Sequence, residues 1–173
     1  LNLKIFQWYP ENNTIDIAAL KDVTVIVHLA GENIGEGRWT ALKMAKIANS
    51  RINSTQLLVD KIAENKLTEF KFIGISAVGI YGDRGNVDLN EKSTLGDDFM
   101  AKVCQAVEEK LLNSTLPKSN VAILRLGMVL AKDGGVLAKL QAPFSLGLGG
   151  VFGNGRQFVS WVHIDDVVEN IIW

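Results

Sequence analysis

The apolar residues of this chain fall into short runs that end in small residues. Val23-Thr24-Val25-Ile26-Val27-His28-Leu29-Ala30 leads into Gly31-Glu32-Asn33, and Phe72-Ile73-Gly74-Ile75-Ser76 leads into Ala77-Val78-Gly79-Ile80-Tyr81-Gly82. A third run, Val121-Ala122-Ile123-Leu124-Arg125-Leu126, leads into Gly127-Met128-Val129-Leu130. Short apolar stretches of this kind predict parallel strands covered on both faces, and three of one form predict one sheet. Between them the period changes. Leu42, Ile47, Ile52, Leu57, Leu58 and Ile62 recur at helical spacing from Trp39 to Glu64, read as two helices or one bent near Asn49-Ser50. Phe99, Val103, Val107 and Leu111 form the stripe of a second amphipathic helix over 97–112, with Asp97 and Asp98 placed to cap it.

Nearer the start, Leu3 to Trp8 alternates as a strand does, Tyr9-Pro10-Glu11-Asn12-Asn13 reads as a loop, and Ile15 to Leu20 reads as a short helical turn. Strand and helix therefore alternate, which predicts an α/β fold with a parallel sheet and right-handed crossovers. After Leu130 the pattern loosens, with glycines at 134, 135, 147, 149, 150, 153 and 155. The expected division is an α/β region over 1–130 and part of a smaller lobe over 131–173.

Composition narrows the partners more than the fold. A chain of 173 residues, 47% hydrophobic and 21% charged, has the makings of one cored domain. With 18 basic and 19 acidic residues the net charge is -1, which provides no broad footprint for nucleic acid or an anionic membrane. No apolar run approaches the roughly 18 residues of a membrane span. One cysteine, Cys104, excludes an internal disulfide framework, and two histidines, His28 and His163, argue against a histidine metal site. Cys104 lies among Ala101 and Val107 in the helical pattern, so a packed thiol is expected. A reducing compartment, the cytoplasm, suits it.

In open parallel sheets ligands sit beyond the carboxyl ends of the strands. His28, Ala30, Gly31 and Ser76 occupy those ends and are expected to flank a cleft.

Val27-His28-Leu29-Ala30-Gly31, the helix signal Ile52 to Leu58, Ser76 through Gly82, and Phe158 through Val167 together resemble the extended short-chain dehydrogenase/reductase superfamily. Leu29 to Ile34, Arg38-Trp39, Ser50-Arg51-Ile52, Val78 to Gly85 and Gly155-Arg156-Gln157 are similar to an atypical branch of it. That branch is labelled the NAD-dependent epimerase/dehydratase or sugar-nucleotide epimerase family, and the resemblance covers nearly the whole chain. It implies a Rossmann-type parallel sheet with helices on both faces, here incomplete, followed by the start of a smaller substrate lobe. It implies NADP or NAD as cofactor and a small-molecule, nucleotide-linked or hydroxylated substrate.

The departures are equally informative. Family members open with a strand, a Gly-rich turn and a helix that hold the pyrophosphate, and no G-x-G-x-x-G run stands near this start. The chain also stops where members continue. It is expected to be a fragment trimmed at both ends that folds poorly alone and binds dinucleotide weakly.

In the usual chemistry of the superfamily, a Ser or Thr and a Tyr-x-x-x-Lys pair handle the substrate proton while nicotinamide handles hydride. Ala77 stands at the hydroxyl position, with Ser76 one place away. Phe99 and Val103 stand at the Tyr and Lys positions, with Lys102 one residue, about 100° of helix, out of register. Ser76 and Tyr81 are therefore the candidate acid/base residues. A hydroxyl that ties the strand end and a packed ring are their structural alternatives.

The resemblance assigns His28, Ala30, Gly31, Glu32, Arg38, Ser76, Met128 and Val129 to the cofactor, with Arg38 suited to a phosphate. It assigns Arg156 and Gln157 to substrate. Asp165-Asp166 is read as helix capping. Two functions stand open: an NAD(P)-dependent epimerase or oxidoreductase, and a dinucleotide-binding sensor or partner protein without turnover. An inert structural fragment is third.

Overall fold

The structure is a computed structural model that describes residues 3–151 and 153–173. Trp8–Tyr9 (β1) and Thr14–Ile15 (β2) pair antiparallel across a 3-10 turn at Pro10–Asn12. The predicted strand over residues 3–8 is thus cut to its last residue and its neighbour. Pro10 fixes the turn, and Asn13 closes it with a left-handed φ of 53°, which asparagine tolerates well. A second 3-10 turn follows at Ile17–Leu20, where the Asp16 carboxylate accepts the Ala18 N–H.

Val25–His28 (β3), Lys71–Ala77 (β4) and Val121–Leu126 (β5) form one sheet in the order β3-β4-β5. β3 and β4 run parallel, with Ile26 beside Phe72, Val27 beside Ile73 and His28 beside Gly74. Between them lies Ala41–Glu64 (α1), one continuous helix with no break at Asn49-Ser50. Ser50 fits its interior because its hydroxyl donates back to the Ile47 carbonyl. Thr40 caps the start by accepting the Lys43 N–H. The end closes through Leu67 N–H to the Ile62 carbonyl and Lys66 N–H to the Ala63 carbonyl, with Lys66 left-handed at φ 54°. Phe99–Leu112 (α2) begins two residues later than expected, capped by Asp98 accepting the Ala101 N–H. Cys104 is buried.

The chain divides into two units. The first comprises Leu1–Ser76 and Val103–Leu124. Its core is Leu58, Val59 and Ile62 of α1, Phe70 and Phe72, and Leu111 and Leu116, with Trp8, Ile15 and Ile26 packed against it. Paired residues of a parallel sheet share a face, so Ile26, Phe72, His28, Gly74 and Ser76 point to one side. There Gly74 is required: a Cβ on it would lie 2.5 Å from Leu111 Cδ1. On the alternate face Val25 and Val27 are exposed, and Ile73 and Ile75 half-buried.

The second unit comprises Ala77–Lys102 and Arg125–Trp173. A 3-10 turn at Val78–Tyr81 opens it. Met128–Leu130 (β6) pairs parallel with Trp161–His163 (β7), a small sheet that the glycine-rich pattern after Leu130 concealed. Gly127 permits that approach, since a Cβ would lie 2.7 Å from the Ser160 carbonyl oxygen. Gly135–Ser145 (α3) and Ile164–Ile172 (α4) complete the unit. The cap of α4 is His163, whose Nδ1 accepts the Asp165 N–H. Asp165 and Asp166 lie in its first turn, where carboxylates favour the helix dipole.

Candidate functional site

The carboxyl end of β3 is held by α1. His28 is buried between Trp8 and Phe72, whose rings meet it edge-on, and its Nε2 lies 3.0 Å from Ser54 Oγ. Ser54 donates its single hydroxyl proton to the Arg51 carbonyl, so its oxygen accepts from His28 and the imidazole carries its proton on Nε2. Burial pushes His28 down to about 4, and the ring is neutral at ordinary pH.

Four residues on, Glu32 is engaged at three points. Its N–H donates to Ser50 Oγ at 2.8 Å, its carbonyl accepts from Arg51 Nη1 at 3.0 Å, and its carboxylate pairs with Lys43 Nζ at 2.6 Å. The hydrogen bond and charge of Lys43 hold this carboxyl below the usual carboxylate range, with smaller pulls from Lys46 and Arg51. Burial in turn lowers the Arg51 guanidinium, opposed by Cys104 and Glu32. Ala30 and Gly31 remain exposed between His28 and this clamp. Arg38 lies on the exposed loop that follows, its carbonyl accepting the Thr40 N–H.

The carboxyl end of β4 is different. Ser76 is 7% exposed, and among the described residues its hydroxyl has no hydrogen-bond partner. A buried hydroxyl left unpaired costs free energy. A cavity of about 880 Å³ in this unit is lined by residues 16–18, 20–24 and 65–69. Those are the residues leading into β3 and β4, at the opposite strand end from Ser76, so volume and chemistry do not coincide.

In the second unit Tyr81 is buried. Its phenolic oxygen accepts from Arg125 Nη1 at 2.8 Å, and the guanidinium carbon lies 5.3 Å from the ring centroid. The backbone around it is fixed by Gly96 N–H to the Ile80 carbonyl and Arg84 Nε to the Tyr81 carbonyl. Gly96 has no room for a side chain: a Cβ would lie 2.7 Å from the Gly82 nitrogen.

Met128 and Val129 stand on β6 beside Trp161 and Val162. Arg156 and Gln157 lie in the exposed stretch before β7, where the Arg156 N–H donates to Asn154. A groove of about 460 Å³ is lined by Lys132, Leu137, Leu140, Gln141 and Phe144. Val103, at the position of the family lysine, is a buried core residue. Among the described residues no group of His, Cys, Asp and Glu is placed to hold a metal, and no helix is long and apolar enough to cross a membrane.

The structure thus brings His28 together with Ser54, and Tyr81 with Arg125. Arg51, Ser54 and Arg125 were not among the site residues read from the sequence. Ser50-Arg51 was visible as part of a motif, but its reach back to a loop about 20 positions earlier depends on the packing of α1.

A parallel sheet with small residues at its strand ends and a helix between successive strands makes this an α/β protein of the open-sheet kind. The sequence model of the NAD dependent epimerase/dehydratase family matches residues 8–173, and the chain belongs to that family. An epimerase family protein of Mycobacterium leprae is 36% identical over 172 residues, covering 99% of this chain and 55% of that relative. A nucleoside-diphosphate sugar epimerase from Corynebacterium glutamicum is similar in structure, with a TM-score of 0.75 and 35% identity over 96% of this chain and 34% of that one. The human epimerase family protein SDR39U1, solved with NADPH, has a TM-score of 0.75 and 32% identity over 83% of this chain and 49% of its own. The chain spans about half the length of the curated relatives it matches.

Proposed function

We propose that this protein is an NAD(P)-dependent epimerase or oxidoreductase acting on a nucleotide-linked or small hydroxylated substrate. The observation that carries the reading is Ser76, a buried hydroxyl without a partner at the carboxyl end of a parallel strand. The names of its relatives, a nucleoside-diphosphate sugar epimerase and a protein solved with NADPH, point the same way.

On this reading residues 1–130 serve the dinucleotide and 131–173 the substrate. His28, Ala30, Gly31, Glu32, Arg38 and Ser76 hold the cofactor, and Met128 and Val129 wall it. The Glu32 carboxylate, already paired with Lys43, contributes by fixing its loop. Bound nicotinamide supplies hydride transfer. Ser76 supplies a hydroxyl that gains its missing partner. Tyr81 supplies a proton: its oxygen already accepts from Arg125, so its own O–H is left to donate. Arg156 and Gln157 bind the substrate. The buried Cys104, which forms no disulfide, suits a reducing compartment such as the cytoplasm.

A second reading, dinucleotide binding without turnover, is favoured by one observation: Val103 packs in the core where the family's usual lysine would act. Titration with NADH and NADPH, followed by nicotinamide absorbance across sugar nucleotides and small carbonyls, separates the two. Tyr81→Phe is expected to lower turnover by about 10² to 10⁴ and leave cofactor affinity nearly unchanged. Binding with no turnover on any substrate supports the second reading; turnover indifferent to Tyr81→Phe removes Tyr81 from the chemistry.

A further inference from the structure

The loop that leaves β3 is placed by a side chain of α1. Arg51 Nη1 donates to the Glu32 carbonyl at 3.0 Å and to the Ile47 carbonyl at 3.1 Å, so one nitrogen joins the strand-exit loop to a turn of α1. The Arg51 side chain closes on Gly31: a Cβ there would sit 2.9 Å from Arg51 Cζ and 3.2 Å from Nε. Such an approach is cheap to relieve when the neighbour is the free end of a flexible chain. Here that end is held by two carbonyls, and it cannot swing aside without releasing the loop.

Glycine at 31 is therefore required by Arg51, whatever else approaches it. Meanwhile the N–H, carbonyl and carboxylate of Glu32 are all engaged by α1. What remains presented at this strand end is the exposed backbone of Ala30 and Gly31.

We propose that Arg51 is the positioning residue of the dinucleotide site, setting the height of the Ala30-Gly31 backbone through its paired carbonyls and its contact with Gly31. This rests on the functional reading above. The contact makes the two positions interdependent. A methyl group at 31 displaces the guanidinium, and once the guanidinium is gone the methyl group has nothing to displace.

The test is a double-mutant cycle of Gly31→Ala and Arg51→Ala, read by calorimetric titration with NADPH and by melting temperature. Each single change is expected to weaken NADPH binding about tenfold, and the double variant is expected to be no weaker than Arg51→Ala alone. Arg51→Lys, which keeps the charge but loses the rigid fork, provides a well-folded intermediate and is expected to fall between parent and Arg51→Ala. Additive losses in a chain that binds NADPH show that Gly31 is small for the ligand's sake and overturn this inference alone. Melting temperatures that fall while NADPH affinity stays at the parental value overturn it as well, reducing Arg51 to a structural tie. A full-length parent protein that binds neither NADPH nor NADH overturns the functional reading and this inference with it.

Discussion

The exits of β3 and β4 are neighbours in one sheet, yet they are finished in opposite ways. At the β3 exit two serines have paired hydroxyls: Ser50 accepts the Glu32 N–H and donates to Ile47, while Ser54 accepts from His28 and donates to Arg51. Two positions beyond the residue that pairs with His28, the Ser76 hydroxyl is buried, as Ser54 is, and has no partner among the described residues. The same side chain in the same kind of environment therefore has two different meanings. The saturated exit holds its loop through α1. On the functional reading proposed above, His28 and Glu32 are scaffold for the site and Ser76 is its contact.

The largest effect expected from this comparison is on the scaffold side and comes from pH. His28 is held neutral by burial, at about 4 against an ordinary value of 6.5. Above 6.5 the ring is neutral in both folded and unfolded chains and pH has no hold on it. As pH falls below 6.5 the unfolded chain takes up a proton that the folded chain refuses, so stability declines until the folded ring protonates near 4. The total loss is about 3 kcal/mol. Denaturant unfolding at pH 7 and pH 4 checks this. A His28→Gln variant should lose correspondingly less between the two pH values, and an equal loss would assign the acid sensitivity to other groups.

A smaller effect separates the serines directly. Ser50→Ala removes the acceptor of the Glu32 N–H and leaves a part-buried donor unpaired, at a cost of about 1 kcal/mol. Unfolding curves of the parent and variant measure it. No change in stability would mean that solvent replaces Ser50 without cost and that the β3 exit is held by Arg51 and Lys43 alone.

Much of this frame was legible from the chain. Strand β4 ends at Ala77, the α2 cap is Asp98, and β3 and β4 are parallel, because each depends on local pattern and on the alternation of elements. The family was legible for the same reason, since its motifs are contiguous. What escaped were pairings that close over distance. The continuity of α1 through Ser50 depends on a back-bonded hydroxyl. Sheet β6-β7 joins residues more than 30 positions apart across a glycine-rich stretch that has no strand period. The partnership of Tyr81 with Arg125 spans 44 positions, and the loneliness of Ser76 is a property of everything around it rather than of its own neighbours in sequence. Glu32 was legible as a charged strand-exit residue. That its charge is spent on Lys43 required the fold.

The most direct test of the account is Ser76→Ala, scored for stability and for NADPH affinity in the same preparation. If the hydroxyl is kept for a ligand, deleting it removes an unpaired buried group. The melting temperature should then stay level or rise, while NADPH binding weakens by about tenfold. A drop in melting temperature with unchanged NADPH affinity would show instead that Ser76 ties the end of β4, and would contradict the account.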